Sequence, residues 1–302
     1  MRTVALESAG EATKTKMARA RPVADFAELV KARLTLLVLL TTAVGFYLAA
    51  DSVSYGALFH VVFGTALAAA GAAALNQWWE WRLDALMQRT KMRPVPAGRM
   101  LARDAVVVGS VLSAAGVVYL AVATNLLAAI IAAATIVIYI FGYTPLKRIT
   151  TTNTLVGAIP GALPPLIGWA AARNDLSLPA WCLFAILFCW QMPHFYAIAW
   201  MFREDYARAG FRMLSTLDEH GLRSGRQSVL FAFLFLCAST TPGLLGITSH
   251  TLLPLALAIG GVFVLLALRF YLRKDVPDAR RLFIGSVICL PALLAALVFT
   301  KS

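Results

Sequence analysis

The chain has 302 residues, of which 60% are hydrophobic and only 14% charged, with a formal net charge of +12. Its apolar residues are gathered in blocks long enough to cross a bilayer, which excludes an ordinary soluble globular domain. The positive balance alone would admit a nucleic-acid binder, but the placement of the charges argues against that partner.

Residues 1–30 are polar and hold no apolar core, so they read as a flexible cytoplasmic tail rather than a cleaved signal peptide. The integral membrane domain is expected over 31–302. Nine spans are predicted, at 34–50, 55–79, 104–123, 125–144, 154–172, 179–201, 227–247, 252–272 and 281–299. Within lipid the backbone must satisfy its own hydrogen bonds, so these runs imply helices and an all-α membrane protein, a nine-transmembrane-helix bundle. All but two of the 27 Lys and Arg, namely Arg173 and Lys301, fall in segments 1–33, 80–103, 145–153, 202–226 and 269–281. By the positive-inside rule these segments face the cytoplasm, which puts the N-terminus inside and the C-terminus outside. The basic charge is then a signal of topology, and no nucleic acid is needed to explain it. The four cysteines, Cys182, Cys189, Cys237 and Cys289, lie within predicted spans without a CxxC spacing, so buried free thiols are expected, with no disulfide and no zinc site.

The outer connections are short. Two inner ones, 80–103 and 202–226, are long and charged, and loops of that kind on a rigid scaffold usually carry function. They follow the second and sixth spans, a spacing that suggests two four-helix units, each with one polar loop.

The first loop opens with NQWWEWRLDALMQRTKMRP. Asn76, Glu80 and Asp84 stand at i, i+4 and i+8, on one helix face, about 6 Å apart per step. A row of oxygen ligands suits a hard cation such as Mg2+, which takes few carboxylates and completes its shell with water or phosphate oxygens. Arg89, Lys91, Arg93 and Arg99 follow at once. Carboxylates, a metal and basic side chains together can grip a diphosphate, although the cations alone also fit the topology rule. The second loop, WQMPHFYAIAWMFREDYARAGFRML, offers Gln191 and His194 inside the span, and Arg203, Glu204, Asp205, Arg208 and Arg212 beyond it. His194 lies about two turns within the span, and an ionisable residue there is a functional candidate; a neutral histidine bonded to a neighbouring helix is the plainer alternative. Glu204 and Asp205 could hold a second cation or pair with the adjacent arginines. A third inner segment, YTPLKRITTTNT, groups Tyr143, Lys147, Arg148 and Asn153. The Gly/Pro-rich GAIPGALPPLIGW after it implies an irregular helix lining a cavity. A charged head group docked at the bundle mouth, with its greasy tail in the membrane, fits this layout, and a polyprenyl diphosphate has that shape.

These residues carry a resemblance. Asn76-x3-Glu80-x3-Asp84 running into MQRTKMRPVPAG, then YTPLKR, then WQMPHFYAIAWMFREDYARAG, are similar to the UbiA superfamily of intramembrane prenyltransferases and to its haem-specific branch. The resemblance covers roughly residues 25–300. It implies transfer of a farnesyl group from farnesyl diphosphate to a vinyl group of haem B, giving haem O for terminal oxidase assembly in a bacterial inner membrane. It implies Asn76, Glu80 and Asp84 as the catalytic motif, with Glu80, Asp84 and Glu204 holding Mg2+. Arg89, Lys91, Arg93, Lys147 and Arg148 would meet the diphosphate, and His194 the haem. A haem A synthase or oxidase assembly proteins are the implied partners besides the lipid bilayer. Two departures stand out: the second acid motif is reduced to FREDY, with Glu204 in register and Asp205 beside it, and Lys31-Ala32-Arg33 replaces a usual Lys-Pro-Arg. Other readings are a quinone or chlorophyll-type prenyltransferase, which WQMPHF disfavours, an anion transporter, which would avoid Glu80 and Asp84, and a haem-delivery protein, which would not need magnesium.

Overall fold

The computed structural model describes residues 22–301, and nine of its helices are long and apolar enough to cross a membrane. They are α1 (Ala32–Ala49), α2 (Tyr55–Asp84), α3 (Ala102–Ala123), α4 (Leu126–Leu146), α5 (Asn153–Arg173), α6 (Leu178–Met201), α7 (Leu222–Leu244), α8 (Leu252–Arg273) and α9 (Val276–Phe299). The chain is a multi-pass membrane protein built as a helical bundle. The apolar blocks predict these helices closely. The larger differences fall at charged ends, where α2 runs on to Asp84, α7 starts at Leu222 and α9 at Val276. Hydropathy stops at the first charge, but a helix stops at its cap. At α9 the Asp275 side chain accepts the Asp278 N–H at 2.7 Å, with proline in the first turn, so the helix begins five residues before its apolar run.

Of the expected tail, residues 1–21 lie outside the described residues. Residues 22–29 are a short helix, Pro22–Leu29, with Leu29 buried. It docks on α2 because Gln77 Nε2 donates to the carbonyls of Glu28 (2.7 Å) and Leu29 (2.8 Å). Arg99 adds ion pairs to Asp25 and Glu28. The cysteines are free thiols, three of them buried, while Cys237 is exposed on the bundle surface, contrary to the expectation that all four are buried.

Helices α2 and α3 pack closely along their length. A Cβ on Gly71 would lie 2.4 Å from the Ser113 nitrogen and 2.7 Å from the Gly109 carbonyl oxygen, so the backbones touch where only glycine fits. Two spans are irregular. In α5 the helical stretches Asn153–Ala162 and Pro164–Arg173 meet at Leu163, where Pro164 and Pro165 both lack the N–H that would continue the ladder. In α4 the last turns, Ile138–Tyr143, are π-helical and stack Tyr139 on Tyr143 at 5.8 Å. Such local widening re-aims the side chains that follow, here Thr144 and Lys147.

The two cations outside the inner segments are also explained. Lys301 Nζ donates to the carbonyls of Tyr47 (2.6 Å) and Ala50 (2.5 Å), and Arg173 Nε to that of Ala49 (2.6 Å). Both cap the negative C-terminal end of α1, which lacks four intrahelical donors.

Gly71→Leu should therefore push α2 and α3 apart and cost at least ~1–3 kcal/mol, lowering the thermal unfolding temperature in detergent. Gly261→Leu, where a Cβ meets nothing within 4 Å, should leave that temperature unchanged or raise it.

Candidate active site

The charged end of α2 is where the sequence motif becomes a site. Asn76, Glu80 and Asp84 lie on one face as the spacing predicts, and they are sealed, at 1%, 4% and 1% exposure. Two carboxylates buried at a bundle mouth would be strongly unfavourable alone. Each motif side chain instead has its own basic partner. Lys147 Nζ contacts both oxygens of Glu80, at 2.8 and 3.0 Å. Arg93 contacts Asp84 Oδ2 at 2.7 Å. Lys31 Nζ donates to Asn76 Oδ1 at 2.7 Å and reaches the Tyr139 hydroxyl at 3.3 Å. That leaves the Asn76 amide nitrogen facing Glu80 Oε2 (3.1 Å) and Thr144 Oγ1 (3.2 Å).

These partners come from three separate segments, each fixed locally. The loop after α2 folds back because Thr90 Oγ1 donates to the Asp84 carbonyl (2.9 Å), which brings Arg93 over the carboxylate. Lys147 follows the π-helical turns and lies 4.4 Å from the Tyr143 ring and 5.7 Å from that of Phe211. Its carbonyl accepts the Arg212 N–H at 2.7 Å, and Asn153 Nδ2 donates to the Arg212 carbonyl at 2.9 Å, which joins the third inner segment to the second long loop. The two long loops meet where Asp205 Oδ2 accepts the Arg89 N–H (3.0 Å) and Arg89 reaches the Tyr206 hydroxyl (3.2 Å). A small apolar cluster of Met87, Ala199, Ala209, Phe211 and Met213 seals the junction.

The electrostatics outside the spans follow these contacts. Burial alone would lower the Lys147 pKa, but the Glu80 carboxylate beside it holds it above the ordinary lysine value. Burial pushes Lys31 down to about 7, assisted by repulsion from Arg93 and Lys147. Burial would raise the Asp205 pKa, but the N–H groups of Arg89 and Gln88 and the Arg208 guanidinium hold it below the usual carboxylate value.

Of the residues singled out in the sequence, Asn76, Glu80, Asp84, Arg93 and Lys147 are brought together here. Arg89 stands one layer outward, over the rings of Phe202 and Tyr206. Lys91 and Arg148 are exposed, with no side-chain hydrogen bond or ion pair. Glu204 is exposed on an open cleft of about 310 Å³ with Arg203, Ser215, Thr216 and Glu219, and Asp205 is the acid that turns inward. His194 lies between α6 and α9, packed against the rings of Trp190 and Phe283, with Nδ1 2.7 Å from Ser286 Oγ. Ser286 gives its own proton to the Phe283 carbonyl, so His194 Nδ1 is the donor of the pair. No hydrogen bond or ring contact joins His194 to the acid site. Lys31, Tyr139 and Thr144 were not singled out as site residues. Lys31 stood out only within Lys31-Ala32-Arg33, as a departure from the family pattern and without a role, and nothing in the sequence marks the π-helical turns.

Among the described residues no three His, Cys, Asp or Glu side chains cluster closely enough for a metal. The available donor set is one amide and two carboxylates in helical register. It suits a hard cation that takes few protein ligands, and the Arg93 contact falls on Asp84 Oδ2.

A helical membrane bundle with buried acids and bases at one mouth is the framework of an enzyme that handles a charged head group on a lipid-soluble substrate. The model described as the UbiA prenyltransferase family matches residues 38–297, so the chain belongs to that family and is a prenyltransferase. The chain is 43% identical over 287 residues to a protoheme IX farnesyltransferase of Solibacter usitatus, covering 92% of this chain and 98% of the relative. The mitochondrial protoheme IX farnesyltransferase of Homo sapiens is 38% identical over 275 residues, covering 91% of this chain and 62% of the relative. Among solved structures, a digeranylgeranylglyceryl phosphate synthase shares the fold with a TM-score of 0.77 at 16% identity, over 92% of this chain and 98% of that one. A UbiA homolog from Archaeoglobus fulgidus, bound to DMAPP and Mg2+, gives 0.70 at 15% identity, over 90% and 99%.

If Lys147 neutralises Glu80, Lys147→Met should cost about 3–5 kcal/mol by leaving a buried carboxylate unpaired. The double variant with Glu80→Gln should recover much of that loss in equilibrium unfolding measurements.

Proposed function

We propose that this prenyltransferase moves the farnesyl group of farnesyl diphosphate onto a vinyl group of protohaem IX (haem B), giving haem O. The observation that carries this reading is near-full-length likeness to curated protoheme IX farnesyltransferases at 43% identity. The site supplies groups suited to the chemistry. Breaking the allylic C–O bond sends its electron pair onto the diphosphate, where negative charge accumulates. Preorganised cations aimed at that charge lower the barrier, and Arg93 and Lys147 are fixed for it, with Arg89 at the entrance. Asn76, Glu80 and Asp84 would hold Mg2+, which neutralises diphosphate oxygens when bound. The farnesyl cation left behind is attacked by the terminal vinyl carbon of haem, and water adds to the resulting cation and loses a proton, leaving a hydroxyethylfarnesyl side chain. The sealed mouth residues serve to keep water from the first cation until transfer is complete.

His194 is the haem-facing residue of this reading. With Nδ1–H given to Ser286, the Nε2 lone pair remains for the macrocycle. Glu204 is exposed on its cleft and, among the described residues, forms no metal-sized cluster with Glu80 and Asp84, so its place in a second metal site stays a proposal apart from the α2 donor set. The charged mouth faces the cytoplasm of a bacterial inner membrane, with the C-terminus on the opposite side, because nearly all the basic residues lie at that end. The product then leaves through the membrane toward haem A synthase or terminal oxidase assembly.

Purified protein in nanodiscs, supplied with haem B, farnesyl diphosphate and Mg2+, should yield haem O by LC-MS, and none when the metal is chelated. Asp84→Asn should cut the rate by roughly 100-fold or more. No haem O from haem-loaded wild type would overturn the reading.

A further inference from the structure

Lys31 is the odd member of the part-buried basic set. Lys147 has Glu80 and Arg93 has Asp84, each within 3.0 Å, but among the described residues Lys31 has no carboxylate within ion-pair distance. Among the described residues its side-chain hydrogen-bond partners are neutral, the Asn76 amide oxygen and the Tyr139 hydroxyl. A part-buried amine supplied with no anion of its own is costly to keep, whereas a methionine or leucine there would be cheap.

The backbone around Lys31 is arranged to hold that amine in place. Lys31 has φ 49° and ψ 50°, the left-handed region that a lysine rarely adopts, at the joint between the Pro22–Leu29 helix and α1. The joint is fixed from the other side by Gln77, neighbour of Asn76 and fully buried, which binds the Glu28 and Leu29 carbonyls. Consecutive residues of α2 thus lock the turn and receive the amine that the turn directs inward. Strain maintained at one residue by such surroundings is a mark of a functional position.

We propose that Lys31 is an anion-binding residue of this site, parked on Asn76 until phosphate oxygens of the prenyl diphosphate arrive. The inference rests on the prenyl-transfer reading and deepens it. The two carboxylate-paired cations can serve the diphosphate only by loosening their acids, whereas Lys31 gives up one neutral amide contact. Its transfer also frees Asn76 Oδ1 as an oxygen donor, in line with Glu80 and Asp84. Anion binding and exposure of the third α2 oxygen are therefore linked through one side chain.

The test uses the full chain in zwitterionic nanodiscs. Inorganic pyrophosphate with Mg2+ is titrated calorimetrically into wild type, Lys31→Met and Lys31→Arg, and KM is measured separately for farnesyl diphosphate and haem B. The expected result is at least tenfold weaker pyrophosphate binding and a similar rise in the farnesyl diphosphate KM for Lys31→Met, with haem KM and thermal unfolding unchanged and partial recovery in Lys31→Arg. Equal pyrophosphate affinity in wild type and Lys31→Met would overturn the inference while leaving prenyl transfer intact. So would a Lys31→Met variant that loses donor, acceptor and thermal stability together, since Lys31 would then be a structural residue. Wild type that makes no haem O and binds no pyrophosphate would instead remove the prenyl-transfer reading itself.

Discussion

The neutralisation of the α2 acids by bases from other segments is the contact on which the mouth of the bundle depends. Glu80 and Asp84 sit at the end of a 30-residue helix, too deep for water to solvate them. They are tolerable only because Lys147 and Arg93 arrive from different loops. Each loop is in turn held by contacts whose purpose is to deliver its cation: Thr90 turns the first, the π-helical end of α4 aims the third, and Arg212 ties the third to the second. Charge pairing therefore organises backbone that hydrophobic packing alone would leave undetermined.

The bundle itself was largely legible in the sequence, because a bilayer leaves helices as the only economical form for nine apolar runs. The Asn76-Glu80-Asp84 row was legible for a similar reason. Four-residue spacing is a geometric statement once the helix is granted, and the helix continues past its apolar part to Asp84. What could not be read depends on rotation and capping. Glu204 and Asp205 are adjacent, so turning the short Arg203–Arg208 helix by one residue decides which enters the junction, and no hydropathy pattern sets that angle. The π-helical turns are invisible because Ile138–Tyr143 is as apolar and helix-compatible as what precedes it. Lys31 was visible only as part of a departure from the family pattern, because its contact with Asn76 spans 45 residues and no local spacing reveals it.

The same rotation argument bears on His194. Its depth in α6 marks it as unusual, but its partner Ser286 lies 92 residues away on α9, beyond what local spacing can reveal. The contact fixes which ring nitrogen is the donor, and so converts a candidate residue into a candidate atom. It also separates two regions that the sequence presents as one motif-rich loop. The acid site belongs to α2 and the segments that cover it, and His194 belongs to the α6–α9 seam. A reaction with two large substrates, one carrying a diphosphate and the other a macrocycle, has use for two regions rather than one.

The two ends of the bundle show why buried ion pairs are kept at the mouth. At the far end Lys301 is spent on backbone carbonyls at the end of α1, and Arg173 on one such carbonyl and on the exposed Asp51 carboxylate; the carbonyls cannot dissociate from their helix without unfolding it. At the mouth the same kinds of cation rest on buried acidic side chains. An ion pair in such a place is seldom the most stable filling for its volume, and well-packed apolar residues would often hold a bundle together as well or better. What it provides instead, on the proposed reading, is exchange: each acid passes to a metal and each base to a phosphate with little net change in buried charge. A site that neutralises itself when empty stays folded and closed to stray ions. On the proposed reading its ligand brings both charges at once, the form in which a metal-bound prenyl diphosphate presents itself.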